Sequence, residues 1–460
     1  LVTPHGADSR RVFSRELAGQ DANMKRESVG PAVLVESLDQ EGRGVAHVDG
    51  KVIFIEGALP GEVVEFASYR RKPNYEFAEA KRIVRASVSR VVARCRYFGV
   101  CGGCSMQHLE PRAQVAAKQR VLEENLARIG KVTAETMLSP IHGPTWEYRY
   151  RARFSARYVP KKGTLVGFRE RHSSFVADMQ TCEVVPARIS ALLVPLRQLI
   201  ASLSIRERLP QVELAIGDAV DVLVLRVLEP PDASDQDKLR QFAVRHRVLL
   251  FLQPKGPDSI YPFFPLDAPP LQYRIPDFDL TFPFNPTDFT QVNHEINRAL
   301  VRRAITLLDP QPDDQIGDFF CGLGNFSLAI ARSGAQVTGI EGNPGLLQRA
   351  RENAVRNGLE TRCRFVERDL FTITGDDWIG LAPFDRILID PPRDGAIGLV
   401  KAIGEAPPAR IVYISCNPAT LARDAAVLVH SHGYRLAAAG VVNMFPHTSH
   451  VESIALFEKP

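Results

Sequence analysis

Ile316-Gly317-Asp318-Phe319-Phe320-Cys321-Gly322-Leu323-Gly324-Asn325 reads as a short strand running into a glycine turn, and Phe326 to Ala331 opens a helix behind it. A second strand, Val337-Thr338-Gly339-Ile340, ends in Glu341. A glycine pair alone is weak evidence for a ligand. Between a strand and a helix, however, it stands where open α/β sheets bind theirs. Glu341 lies nineteen residues after Gly322, about where a ribose-binding carboxylate belongs. A dinucleotide would want a further glycine for its pyrophosphate, and position 327 is serine. S-adenosylmethionine has a ribose and no phosphate, so it fits this turn better.

Working outward, strand–helix repeats run from about Phe289 to the end of the chain, the mark of a doubly wound sheet. Asp369 closes a third strand from Cys363, at a position suited to contacting adenine. Phe384 to Ile389 is a fourth strand, ending in Asp390-Pro391-Pro392-Arg393. The fifth, Arg410-Ile411-Val412-Tyr413-Ile414-Ser415, ends at Cys416, and Asn417-Pro418 stops it. A cysteine at the carboxyl end of such a strand faces the ligand crevice. As a thiolate it is a nucleophile able to add to an electron-poor double bond; the plainer reading is a buried packing residue. A ribose acid, an adenine-side acid, an Asp-Pro-Pro turn and a cysteine thus follow one another at successive strand ends. The last strand, Val451 to Phe457, carries Glu452 at its start.

The first 285 residues have a different texture. Residues 1–27 are polar and aperiodic and are expected to be disordered, with Met24 the expected natural start. Residues 28–88 hold several short β-rich runs separated by Gly42, Gly44, Asp49-Gly50 and Leu59-Pro60-Gly61, which suggests a small closed barrel of the oligonucleotide-binding kind. Cys95, Cys101, Cys104 and the distant Cys182 form a four-sulfur set. Zinc, an iron–sulfur cluster and a redox pair are all open to it; the lack of a second C-x2-C pair favours a [4Fe–4S] cluster. Pro111 to Gly130 reads as a helix with Val115, Leu122, Leu126 and Ile129 on one face. Tyr148 to Phe154 alternates like a strand, with Arg149, Arg151 and Arg153 on one side and Tyr148, Tyr150 and Phe154 on the other. That arginine face suits phosphate contacts, or is simply solvated. Residues 185–285 alternate strand-like runs with proline-rich turns and carry no chemistry of their own.

Charge supports a polyanion partner. Residues 81–180 contain 19 Lys/Arg against 7 Asp/Glu, so a +12 segment sits in a chain of net charge +4. No apolar run approaches a membrane span, no signal-peptide core is visible, and the odd count of seven cysteines argues for the cytoplasm.

The motifs Phe289-Thr290-Gln291-Val292-Asn293, Asp318 to Phe326, Asp390 to Arg393, Ser415-Cys416-Asn417-Pro418 and His447 to Glu452 resemble those of the RNA uracil-C5 methyltransferases. Gly42 to Ala46, Asp49 to Lys51 and Leu59 to Glu62 resemble a TRAM domain, an RNA-binding barrel. With the four cysteines, the whole looks like the branch that modifies 23S ribosomal RNA. The resemblance implies an α/β, Rossmann-like S-adenosylmethionine-dependent domain (helix 111–130 with 286–460), an N-terminal barrel (28–88) and a mixed central domain (89–110 and 131–285) holding a [4Fe–4S] cluster on Cys95, Cys101, Cys104 and Cys182. It implies Cys416 as nucleophile, Glu452 as proton acceptor with His447 the alternative, and Gln291, Phe320, Asn325, Glu341, Asp369 and Asp390 around the cofactor. Cys321 and Cys363 match nothing catalytic. The expected substrate is a single-stranded or loop uridine, and the expected protein a cytoplasmic monomer without membrane or DNA partners. The rivals are another uridine, in 23S or transfer RNA, a small-molecule methyltransferase, and a non-catalytic RNA-binding assembly protein.

Overall fold

Seven strands of the catalytic half share one sheet: β1 (Gln315–Phe319), β2 (Gln336–Glu341), β3 (Cys363–Glu367), β4 (Arg386–Ile389), β5 (Arg410–Ser415), β6 (Arg435–Val442) and β7 (Glu452–Glu458). Their order is β3-β2-β1-β4-β5-β7-β6, with the short strand Thr136–Met137 beyond β6. β1 to β5 are parallel, whereas β7 runs antiparallel between β5 and β6. The strand order reverses between β1 and β4, which opens a crevice at their carboxyl ends. The sheet is buried on both faces, so its strands read as continuous apolar runs. In β5 the alternation still sorts side chains: Val412 and Ile414 join one core, Ile411 and Tyr413 the other.

The computed structural model describes residues 30–381 and 383–460, so the expectations for residues 1–27 and Met24 fall outside the described residues. Two compact units emerge, residues 30–39 with 43–88, and residues 40–42 with 89–460. In the first, the strand order is Val33–Leu34, Val63–Arg71, Tyr75–Arg85, Lys51–Glu56, Gly44–Val48, Ser37–Leu38. The single segment 33–38 pairs with Val63 and Val64 through its first half and with Gly44 and Val45 through its second, so it closes the sheet on itself. Val35, Ile53, Ile55, Val64 and Phe66 fill the interior.

The second unit also contains a six-stranded sheet of residues 151–264, ordered Tyr261–Phe264, Leu249–Gln253, Asp221–Arg226, Gln211–Ile216, Arg151–Val159, Gly163–Gly167. Here the expected strand over Tyr148–Phe154 is corrected: it begins at Arg151, and residues 148–150 lie outside it. Tyr148 is buried with its hydroxyl on the Pro446 carbonyl, and Tyr150 stacks on His294 while its carbonyl accepts from the Ile216 amide at 3.1 Å, so tertiary contacts hold the first and add to a last ladder bond at the second.

Helix α1 (Pro111–Asn125) starts at a proline, is capped by the Glu110 carboxylate, and continues as one π turn, Leu126–Gly130. It packs under the catalytic sheet, with Leu122 and Leu126 in the same core as Ala439 and Val441. The expected apolar face is half right. Ile129 is exposed and Val115 half-buried, while the buried stripe is Gln114, Lys118, Leu122 and Asn125. The π turn shifts the register after Asn125, and the three polar residues are tolerated inside because each has a partner. Gly130 lies so close to the Ala422 carbonyl that a Cβ would sit 2.7 Å from it. Among the described residues, no helix is long and apolar enough to cross a membrane.

Candidate active site

The turn after β1 bends sharply. Phe320, Gly322 and Gly324 all take left-handed φ values, 64°, 56° and 92°. For phenylalanine this costs of order 1–3 kcal/mol, a strain that recurs at functional sites. The backbone amides of Phe320 and Cys321 donate to the Ile340 carbonyl at 2.9 and 3.1 Å, tying the turn to β2. Glu341 completes the tie, accepting from the amides of Gly322 (3.2 Å) and Asn343 (2.9 Å). Asp318, fully buried, accepts from Ser327 Oγ at 2.5 Å and leaves Oδ1 without a protein partner. Burial pushes its carboxyl up to about 7.

At the neighbouring strand ends, exposed Asp369 accepts from the Phe371 amide (2.9 Å) and Thr372 Oγ1 (3.1 Å). The Phe371 ring meets Phe320 edge-on at 5.7 Å. Asp390 follows β4, its amide on the Phe319 carbonyl, and desolvation with Glu452 and Asp318 nearby raises its carboxyl well above the ordinary range. Phe320, Glu341, Asp369 and Asp390 therefore line one sheet edge, in the order the sequence suggested. Asn325 is different: its side chain is spent on Asn297, which it pairs reciprocally (3.0 and 3.1 Å), and on the Tyr273 hydroxyl (2.9 Å). Gln291 is half-buried, two residues before Asn293, whose side chain caps the helix His294–Leu308 through the Ile296 amide at 3.2 Å.

Cys416 follows β5 directly. The β5–β7 register pairs Ser415 with Ser453, so the next rung sets Cys416 opposite Glu452. Pro418 begins the following helix under an Asn417 cap. Burial first, then Glu452 and Asp390, push the Cys416 thiol up to about 11, and Arg393 opposes them. Burial also raises Glu452 to about 7 against the pull of Lys118 and Arg393. His447 takes a left-handed φ of 64°, and its ring stacks on Trp146 at 3.9 Å. Burial and Lys118 bring that imidazole down to about 4.

Cys101, Cys104 and Cys182 converge in the core of the central sheet's unit, and each is influenced electrostatically by other thiols of the set, Cys95 included. Burial raises all four thiols, Cys104 to about 12 and Cys182 to about 11. The Gly103 amide donates to Cys101 Sγ at 3.4 Å, and a Cβ on Gly102 would meet the Arg169 carbonyl at 3.1 Å. Among the described residues, no group of three or more His, Cys, Asp or Glu side chains is arranged to hold a metal ion.

The arginine face is partly withdrawn. Arg151 donates to the Pro286 carbonyl at 2.7 Å and has Nη1 buried. Arg153 is exposed beside Glu213, and Arg149 donates to the Arg151 carbonyl. Sequence reading missed Lys118, which acts on Glu452, Asn443, which accepts from Lys118, and Gln114, which bonds His447. The available signal was a pair of polar residues four apart in the apolar stripe of α1.

Residues 111–460 match the family model tRNA (Uracil-5-)-methyltransferase, and residues 32–80 match the TRAM domain. The chain is 62% identical over 431 residues to the 23S rRNA (uracil(1939)-C(5))-methyltransferase RlmD of Nitrosospira multiformis, covering 93% of this chain and 98% of that one. It is 58% identical over 443 residues to RlmD of Burkholderia pseudomallei, covering 93% and 95%. The solved structure of Pyrococcus abyssi tRNA (uracil-54, C5)-methyltransferase in complex with S-adenosyl-L-homocysteine is similar with a TM-score of 0.70 and 25% identity, over 93% of this chain and all of that one. With its strand-end acids, its crevice cysteine and a match over the last 350 residues, the chain belongs to the tRNA (uracil-5-)-methyltransferase family.

Proposed function

We infer that the chain methylates C5 of a uridine in 23S ribosomal RNA, the one specified in the names of its relatives, using S-adenosylmethionine. The observation that carries the mechanism is the β5–β7 register, which sets Cys416 opposite Glu452. C5 of uracil is too weak a nucleophile to be methylated directly. The Cys416 thiolate adds to C6, and the double-bond electrons move to C5 as an enolate. S-adenosylmethionine supplies the electrophilic methyl group. Glu452 then takes the C5 proton, the C5–C6 double bond re-forms, and the C6–S bond breaks with its electrons returning to sulfur.

Glu452 suits this role better than His447. A general base works best with a pKa near the operating pH, and Glu452 is at about 7 against about 4 for His447. Glu341 and Asp369 are assigned to ribose and adenine, with Phe320 between them and Gln291 and Asp390 closing the pocket. Asn325 acts through the loop it pins, since its amide is already occupied. Cys95, Cys101, Cys104 and Cys182 are assigned to a [4Fe–4S] cluster of structural purpose. The absence of a second C-x2-C pair in the sequence is what favours the cubane over zinc. Arg149 and Arg153 are assigned to phosphate contacts. The ribosomal substrate puts the enzyme in the cytoplasm, acting as a monomer.

The test compares two variants on ribosomal RNA with labelled S-adenosylmethionine. Cys416→Ala should give neither adduct nor product. Glu452→Gln should methylate and then stall as a denaturation-resistant protein–RNA adduct carrying the label. Turnover by Cys416→Ala overturns the mechanism; full turnover by Glu452→Gln removes only the base assignment.

A further inference from the structure

One buried charge lies outside the reaction as derived. Lys118 is only 2% exposed, in a helix stripe where packing alone would select leucine or methionine. A buried ammonium persists only where acceptors or opposite charge compensate its desolvation. Its Nζ donates to Asn443 Oδ1 and to the Phe445 carbonyl, both at 2.8 Å. Asn443 directly follows Val442, which is paired across the sheet with Glu452. The ammonium is therefore anchored one residue from the rung that carries the carboxylate. Neighbouring Gln114 fixes the same segment by accepting from the His447 amide at 2.8 Å and bonding its Nδ1 at 3.2 Å.

We propose that Lys118 is a positioning residue for this methyl transfer: clamped by Asn443 and Phe445, its ammonium holds Glu452 as the carboxylate that takes the C5 proton. The proposal rests on the reading of Glu452 as base. Two cations act on that carboxylate, Lys118 from α1 and Arg393 from the turn after β4, and the carboxylate in turn raises Asp390 at the end of β4 and Cys416 at the end of β5. His447 and His450 lie close enough to feel Lys118 themselves. Burial favours a protonated Glu452. Lys118 is the larger opposing influence and Arg393 the smaller. Arg393 is exposed and open to salt screening, whereas Lys118 is shielded. Lys118 and Glu452 titrate as a pair: burial pulls the ammonium down to about 7 and pushes the carboxyl up to about 7, and each group opposes the other's shift.

The experiment measures the pH profile of adduct breakdown in single-turnover reactions on ribosomal RNA, for wild type, Lys118→Gln and Lys118→Arg. Glutamine keeps two donors for Asn443 and Phe445 but removes the charge. It should move the midpoint for elimination upward by about one unit or more, because a nearby opposite charge shifts a carboxylate by about 1–3. The methylated adduct then persists about tenfold longer at neutral pH and is released normally at high pH. Lys118→Arg, which keeps the charge, should leave the midpoint in place. A rate loss equal at every pH in Lys118→Gln, or an unmoved profile, overturns the proposal. Thermal melting and S-adenosylmethionine binding report folding. Should Lys118→Gln not fold, Lys118→Met replaces it, and if both uncharged variants fail to fold the ammonium is a folding element and the proposal falls. Glu452→Gln run in parallel separates the two readings. If it turns over freely, the base assignment fails; if it stalls while Lys118→Gln keeps the wild-type profile, only the role of Lys118 fails.

Discussion

Glu452→Gln should make the protein more stable as well as inactive, and only above a certain pH. The carboxyl sits 5% exposed at the start of β7, and burial raises it from 4.5 to about 7. Its protonated form is therefore the one the fold favours. The corresponding stability is fully present below about pH 4.5 and is lost as pH rises through about 7. At about 1.4 kcal/mol per pH unit, wild type gives up about 3 kcal/mol across that window. Glutamine has nearly the same shape and no proton to lose, so the variant keeps this stability. Lys118 shifts in the opposite direction, from 10.5 to about 7, so the fold penalises its ammonium at low pH and that penalty is relieved only as pH rises from about 7 towards 10.5. In the variant the ammonium also loses the carboxylate that supports it, so about 3 kcal/mol is an upper bound on the gain. Trp378, fully buried in the core beneath the sheet, offers a fluorescence signal for melting of this unit. The two proteins should melt closest together at pH 4.5, and at pH 7.5 the variant should melt higher by up to about 5 °C, the response of a large unit to at most about 3 kcal/mol. Equal melting temperatures at both pH values would show that Glu452 is solvated as an ordinary carboxylate, and the argument for a base poised near neutrality would go with it.

Two further outcomes follow from the central domain. Protein purified without oxygen should contain about four irons and four sulfides per chain, as an all-thiolate cubane requires; stoichiometric zinc without acid-labile sulfide refutes the assignment. Arg149→Ala with Arg153→Ala should weaken RNA binding and reduce its dependence on salt by about 2 in the log–log slope while S-adenosylmethionine affinity holds, with an unchanged slope showing that these guanidinium groups touch no phosphate.

The catalytic sheet was legible because its signals are local. A strand, a glycine turn and an acid at a fixed interval define β1 and β2, and Asn417-Pro418 reads correctly as a stop because the same residues cap and begin the next helix. The juxtaposition of Cys416 and Glu452 was reachable only through resemblance, since it depends on β7 returning antiparallel between β5 and β6. Period-two alternation misled at Tyr148 and Tyr150, where aromatic side chains alternate with arginine for tertiary reasons: one supports Pro446, the other stacks on His294. The face of α1 was misjudged for a related reason. An apolar-stripe argument passes over Gln114 and Lys118, and their burial makes sense only once Asn443, Phe445 and His447 are seen behind them.

Those same contacts join the cysteine loop to the segment that leads to Glu452, and so give the proposed cluster a route to the active site. The amides of Ser105 and Met106, immediately after Cys104, both donate to the His447 carbonyl at 2.9 Å, and the Ser449 amide donates to Ser105 Oγ at 3.1 Å. Gln114 bonds the carbonyls of Met106 and Leu109 with the same side chain that holds His447. The cysteine loop, the first turns of α1 and the segment from Asn443 to Ser449 are thus one hydrogen-bonded assembly, and Glu452 begins three residues further on. Burial alone drives the thiols towards their neutral forms, so without a centre the four sulfurs have little reason to stay converged. A cluster held on these cysteines, as proposed, would steady the loop that bonds His447. It would then bear on catalysis through the segment leading to Glu452 rather than through electron transfer.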